Sequence, residues 1–424
     1  MKIENLRTEK EGSRARVAAT VTWEDCDRPA HELYFETEEE FGKGLTCNPH
    51  AFLVGCVLPA MHNGEKRLFI EGEVCPELRE NLITAMHWVR HWFYEADRAI
   101  VTIEAKMKTG VQNGRTPERT GMFFSGGIDS YGTLCANRLN YPEGHAGYIR
   151  DGLLLYGQNI ESDNRPETFA EAYADLSRVA KDGGVVLIPV YTNIRLLDDS
   201  REMFTVNHGA ILGAVAHAFS RRLTTVCIGS GDSIPGLRYF NKLFFIPPLG
   251  SHPLLDPCYS SSDVRIRHDG LSISRLDKIK MIAGWDLALN NIKVCGPNWP
   301  GKNCGQCEKC VRTMLGLVAA GALEKTTAFP LNDVTAELAA KVHFKEPIYG
   351  YTIEQDYLEL IDPLREKGRL DLVNAIKEAV RRGYHRKPSF ISRLREIDSK
   401  YLAGTLSRIK RTMRRNAPAA MGRS

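Results

Sequence analysis

No stretch of this chain reaches the roughly 20 consecutive apolar residues that a membrane-spanning helix needs, so the sequence pattern excludes a helical span. Nor does an apolar run stand behind the first charges, Met1-Lys2-Ile3-Glu4-Asn5, and a cytoplasmic protein is the expectation. Charge of one sign is scarce overall: 56 Lys and Arg face 52 Asp and Glu across 424 residues, a formal excess of +4. Glycine and proline, at 36 and 20, are too few for a collagen-like or low-complexity chain, and no internal repeat or heptad run occurs. With 43% hydrophobic residues the composition is that of a globular protein, long enough for about two or three domains.

Disulfides are thinly provided for as well. The 11 cysteines are an odd number spread along a long chain, so a disulfide framework is not expected. Cys26, Cys47, Cys56, Cys75, Cys135, Cys227 and Cys258 stand singly and read as small core residues. The others cluster as Cys295-x8-Cys304-x2-Cys307-x2-Cys310. Four thiolates at that spacing suit tetrahedral Zn²⁺, with Gly305 allowing a tight turn and Lys302, Lys309 and Arg312 offsetting the charge. An iron–sulfur cluster and unliganded thiols stay open as alternatives, although the spacing departs from that of ferredoxins. Without an open ligand position or a neighbouring acid to act as base, the expected metal is a structural zinc.

Residues 1–106 show short strand-like runs at 16–23, 31–36, 66–71 and 99–105 with two helical stretches, which predicts a small α+β domain. The clearer helix follows Cys75 with Pro76 in its first turn, and Leu78, Leu82, Ala85, Met86, Val89 and Trp92 recur on one face. His87 and His91 on that helix have metal-ligand spacing, but Trp88 stands where a zinc protease carries its Glu, so a solvated or packed pair is the competing reading. The polar segment 107–120 reads as a linker. Apolar runs at 121–124, 152–156, 184–190 and 225–229 then alternate with helical patterns, the signature of an α/β, doubly wound parallel sheet over 121–290. Residues 291–325 hold the cysteine module and 326–424 a helical extension. From Lys377 onward 14 basic residues meet Glu378, Glu396 and Asp398, a local +11 that leaves −7 for the rest. Such a tail can hold RNA or another polyanion, or can be a solvated helix end.

The most informative stretch joins an apolar run to a helical pattern through Ser125-Gly126-Gly127-Ile128-Asp129-Ser130. The glycine pair permits close backbone approach, successive N–H groups form a donor nest, and the following helix dipole favours negative charge. Ser125 and Ser130 add hydroxyls, and Asp129 beside phosphate implies Mg²⁺ accompanying the nucleotide. Neither a Walker loop nor a dinucleotide fingerprint is present.

The segment resembles the Ser-Gly-Gly-x-Asp-Ser signature of PP-loop ATP pyrophosphatases. That resemblance implies the adenine nucleotide alpha hydrolase (HUP) fold, with ATP at the strand ends cleaved between its α- and β-phosphates. Together with the cysteine spacing, with Tyr156-Gly157-Gln158 and with Ser274-Arg275-Leu276-Asp277-Lys278-Ile279, the chain is similar to the 7-cyano-7-deazaguanine synthase family over about half its length. It departs where that family recognises deazaguanine: Gly229-Ser230-Gly231-Asp232 leads to Arg238, and Thr205-Val206-Asn207-His208 opens a helix without the family's Pro-Gly-Arg-Asn.

The implied function is an ATP-dependent ligase, in which a carboxylate is adenylated with release of pyrophosphate and an amine or ammonia displaces AMP. Ser125, Asp129 and Ser130 are the expected catalytic set. Ser125 to Ser130, Tyr156, Gln158, Arg275 and Lys278 are the expected nucleotide contacts, and Asp232 and Arg238 the substrate contacts. A solvated basic face for Arg275 and Lys278, and a plain turn at Asp232, are the bland counterparts. His208 and His217 are expected to pack or cap rather than catalyse, and the aromatic string Tyr239-Phe240, Phe244-Phe245 to form a core or lid segment. The expected substrate is a small-molecule or peptide carboxylate, and a homodimer is compatible with the sequence. A tRNA-modifying PP-loop enzyme, and a non-enzymatic nucleotide-binding zinc module that docks a partner, are the alternatives.

Overall fold

The computed structural model describes residues 1–94, 98–109, 118–157, 166–234, 249–296, 298, 301–342 and 354–385. Among them are ten strands: β1 (Lys2–Glu11), β2 (Arg14–Thr22), β3 (His31–Glu38), β4 (Arg67–Val74), β5 (Thr102–Met107), β6 (Thr120–Phe123), β7 (Ile149–Tyr156), β8 (Val186–Thr192), β9 (Thr225–Gly229) and β10 (Arg265–Asp269). All ten belong to one sheet in the order β10-β9-β6-β7-β8-β3-β2-β1-β4-β5. Pairing is parallel from β10 to β8 and again over β1-β4-β5, and antiparallel across β8-β3-β2-β1.

Thirteen α-helices accompany the sheet among the described residues. They are α1 (Pro49–His62), α2 (Pro76–Phe93), α3 (Ile128–Asn140), α4 (Pro166–Asp182), α5 (Arg201–Val206), α6 (His208–Ala218), α7 (Arg275–Ala283), α8 (Asp286–Asn290), α9 (Glu308–Ala320), α10 (Ala336–Ala340), α11 (Glu354–Leu358), α12 (Ile361–Glu366) and α13 (Leu370–His385). No described helix is long and apolar enough to cross a membrane. The basic tail from Arg386 onward lies outside the described residues.

Strand alternation divides the core into two layers. Leu153 and Leu155 of β7 enter one cluster with α1, α2 and α6, while Leu154 enters the other with α3, α4, α7 and α9. Both faces are therefore covered, as a parallel sheet with apolar strands requires, and the parallel half is an α/β, doubly wound arrangement.

Residues 1–106 do fold into strands and helices, but their sheet is continuous with the central one rather than closed on itself. The seam is short: Phe35 opposes Thr192 and Glu36 opposes Tyr191. Pro189 of β8 offers no N–H there, and side chains complete the join. Thr37 Oγ donates to the Pro189 carbonyl at 2.7 Å, and Asn193 Oδ1 accepts the Tyr34 N–H at 3.0 Å. Helices α1 and α6, from either side of the seam, then share one apolar cluster. At the opposite end of the parallel strands the buried carboxylate of Asp151 is gripped by Arg119 and Arg222, which hold its pKa down against the burial that would raise it.

Two histidines are enclosed in the shared core, His50 at 1% exposure and His217 at 0%, with rings 5.5 Å apart. His50 Nε2 accepts the Cys75 N–H, and His217 Nε2 faces the Tyr259 carbonyl at 2.8 Å. Burial pushes both below the ordinary 6.5, His217 to about 4, and in His50 the neighbouring His217 adds to the effect. Below pH 6.5 the unfolded chain therefore takes up protons that the folded chain refuses. Stability contributed by these imidazoles is complete above pH 6.5 and declines as the pH falls towards about 4. Melting temperatures recorded across that window should fall with acidification, and His217→Gln should flatten the fall; an unchanged slope in the variant would assign the acid sensitivity elsewhere.

Candidate functional site

The chain runs from β6 through α3 to β7 and through α4 to β8 on one face, then crosses by α5 and α6 on the other face to β9. Strand order therefore reverses between β6 and β9, and crevices outside the carboxyl ends of strands at such a switch point are where open α/β sheets bind ligands. The loop Ser125-Gly126-Gly127 leaves β6 there and Ser230-Gly231-Asp232 leaves β9 beside it.

Gly126 has φ +75°, a conformation that side chains resist, and a Cβ on it would lie 2.6 Å from Leu176. Gly127 caps α3 without any side-chain hydrogen bond. The first-turn N–H groups of α3, which have no partner within the helix, are thus left to face the loop. Ser125 is exposed and its Oγ lies 3.4 Å from the Gly127 N–H. Ser130 uses its hydroxyl differently from the expectation, donating to the Gly127 carbonyl at 2.9 Å inside the first turn. Ile128 is a packing residue at 1% exposure.

Asp129 stands on that turn with 33% of its side chain accessible. Lys278 Nζ and an Arg275 guanidinium nitrogen approach its Oδ1 at 3.4 and 3.5 Å. Burial favours the neutral acid, but Lys278, Arg275 and Arg312 win and the Asp129 pKa is lowered. Lys278 reaches this position because α3 carries Gly132 where α7 crosses it; a Cβ there would sit 2.6 Å from the Lys278 stem. The same ammonium donates to the Ser230 carbonyl at 2.6 Å. Arg275 and Lys278, at 8% and 1% exposure, are enclosed in the cluster and do not form a solvated face. Ser274 caps α7 by accepting the Asp277 N–H at 3.1 Å, which fixes the helix start that aims both cations.

Asp356 and Glu308 escaped the sequence reading, which placed Arg312 and Lys309 only beside the thiols and Asp232 only with the substrate. Arg312 of α9 pairs with Asp356 of α11 and with Glu308, and Asp356 also lies 3.9 Å from Arg275. Desolvation and the guanidinium groups of Arg312 and Arg275 pull the Lys309 ammonium below its ordinary value, although its side chain is accessible at the rim. Asp232 faces the same group: burial, then Asp356 and Asp129, raise it to about 7 against Arg312 and Lys278. A carboxyl at that value exchanges a proton readily near neutral pH. Tyr156 packs in an aromatic group with Phe169 and Tyr191 at the end of β7. Gln158, Arg238 and the aromatic string at 239–245 lie outside the described residues. A cavity of about 330 Å³ lies on α2, and its described lining residues, His87, Arg90, His91 and Tyr94, stand apart from this cluster.

No family model, curated protein or solved structure matches this chain.

Its cysteine module is legible from geometry alone. Cys295, Cys304, Cys307 and Cys310 place all four sulfurs within 4.8 Å of one another, with Cys304 to Cys310 at 4.0 Å and Cys295 to Cys307 at 3.9 Å. Tetrahedral zinc with Zn–S bonds of about 2.3 Å sets sulfurs about 3.8 Å apart, so the set could hold such an ion. The Gln306 and Cys307 N–H groups point at Cys304 Sγ at 3.4 and 3.3 Å, donors suited to a thiolate. Arg312 is engaged elsewhere than the expected charge offset. The helical period carries it, with Glu308, to a face of α9 away from Cys310, where it pairs with Glu308 and Asp356. Two residues before Cys295, the Lys293 N–H donates to the Gly126 carbonyl at 2.8 Å, which straps the module to the glycine loop.

Cys310→Ser should lower zinc content from about one equivalent towards none and lower the melting temperature, read by elemental analysis and calorimetry. Full zinc retention in the variant would take the metal away from this cluster.

Proposed function

We propose that the chain is an ATP-dependent ligase of the PP-loop type. In this reading the nucleotide lies across the carboxyl ends of β6 and β9, a substrate carboxylate attacks the α-phosphorus, pyrophosphate leaves, and an amine or ammonia displaces AMP. The observation that carries it is Asp129, in the first helical turn after a glycine pair at a topological switch point, held between Lys278 and Arg275 at 3.4 and 3.5 Å.

That arrangement suits a polyanion with its metal. The open N–H groups of α3 and the Ser125 hydroxyl can donate to phosphate oxygens, and Lys278, Arg275, Arg312 and Lys309 supply positive charge around them. Arg275 Nε is buried without a hydrogen-bond partner among the described residues, donor capacity that an oxyanion would use. Asp129 is the residue to hold Mg²⁺, which would neutralise charge on the departing diphosphate. Because phosphoryl and adenylyl transfer need little covalent help, positioning and charge are what these side chains contribute.

Asp232 has the complementary task. An attacking amine must shed a proton, and a carboxyl raised to about 7 across the crevice from the loop is matched to receive it. The resemblance to 7-cyano-7-deazaguanine synthases supports the activation step more than the substrate, since the Gly229-Ser230-Gly231-Asp232 segment departs from the family's deazaguanine-binding stretch.

With a metabolite and peptide extract as the source of carboxylates, the wild-type chain and Mg·ATP should release pyrophosphate and yield amide products visible by mass spectrometry. Asp129→Asn, which keeps the side-chain shape, should cut that release by roughly a hundredfold or more in a chain whose folding is checked by its melting transition. Undiminished release would remove the loop from the chemistry.

A further inference from the structure

At the end of β9, beside the cluster, three buried side chains form an unbroken chain of hydrogen bonds. Asp256 Oδ2 accepts from His268 Nδ1 at 2.7 Å, and His268 Nε2 lies 2.9 Å from Ser230 Oγ. Asp256 is itself fixed by the Ser251 hydroxyl at 2.8 Å and the His252 N–H at 3.2 Å. Ser230 Oγ then closes the turn that follows, donating to the Asp232 carbonyl at 2.6 Å and accepting the Asp232 N–H at 3.3 Å. The carbonyl of that same Ser230 holds Lys278 Nζ at 2.6 Å.

Such a constellation is familiar as an activated nucleophile. Here the hydroxyl proton is directed to the Asp232 carbonyl, and Ser230 is only 1% exposed. Its output is shape. One residue fixes Lys278 through its carbonyl and the Asp232 backbone through its hydroxyl, and its own orientation is set from afar, because His268 reaches it from β10 and Asp256, at the start of a 3-10 helix, holds His268.

We propose that Asp256, His268 and Ser230 act as a positioning relay that sets Lys278 and Asp232 for nucleotide binding, a role that rests on the ATP-site reading above. The chain needs no bond to be made or broken and no group beyond those present.

The test is calorimetric titration of the full chain with Mg·ATP. Ser230→Ala and His268→Gln should each weaken binding by roughly tenfold, the worth of a lost hydrogen bond to a charged network, with zinc content and a cooperative melting transition retained. Ser230→Thr, which keeps the hydroxyl, should restore most of the affinity. On the wild-type chain labelled with ¹⁵N-histidine, Mg·ATP should shift the ring nitrogens of His268, a readout that needs no folded variant. Equal affinity in wild type and Ser230→Ala, or no His268 shift on a chain that binds, overturns the relay and leaves the ATP site standing. Labelling of Ser230 by a fluorophosphonate would also overturn it, in favour of a nucleophile. A wild-type chain that fails to bind Mg·ATP removes both readings at once.

Discussion

Asp129 brings a negative charge to the positive end of α3, and Lys278 and Arg275 meet it there from α7 at 3.4 and 3.5 Å. Burying cations costs several kcal/mol each unless partners compensate, so these two residues tie α7 to α3 in a single arrangement. Much of the surrounding architecture serves that meeting. Gly132 lets α7 cross close enough, Ser274 starts α7 in register, and the Ser230 carbonyl takes the remaining direction of the ammonium.

Around this pair the fold supplies supports from distant parts of the chain. The cysteine module is tied to the Gly126 carbonyl through Lys293, so the four-thiol cluster and the glycine loop belong to the same unit. Helix α11, far along the chain, returns Asp356 to Arg312 and Arg275, and the Leu276 N–H donates to Glu359 at 3.0 Å. The segment beyond residue 326 is therefore part of the site's wall as well as the carrier of a basic tail.

Local patterns were the readable part. The glycine pair between an apolar run and a helical one, and the spacing of four cysteines, depend on neighbours in sequence, and both stand in the structure as strand–loop–helix and as clustered sulfurs. β1 was missed because its period is carried by charges: Arg7 and Glu9 on β1 meet Glu32 and Arg16 across the sheet, a ladder that hydrophobicity does not reveal. The continuity of the sheet was missed because its seam uses two register pairs, with side-chain bonds completing the join, too little for any pattern. Arg312 was assigned to the nearest thiols in sequence, whereas helical rotation sends it to carboxylates in space.

By itself the sequence determined the parallel, doubly wound half, the anion-friendly loop at 125–130 and a four-thiol cluster, because each rests on backbone preferences and spacings that short range dictates. Only the tertiary structure decided that Asp129 is clamped, that Asp232 is raised to about 7, and that Asp256, His268 and Ser230 join. Those outcomes depend on desolvation and on charges brought together from separate elements, and no run of neighbouring residues encodes a dielectric environment.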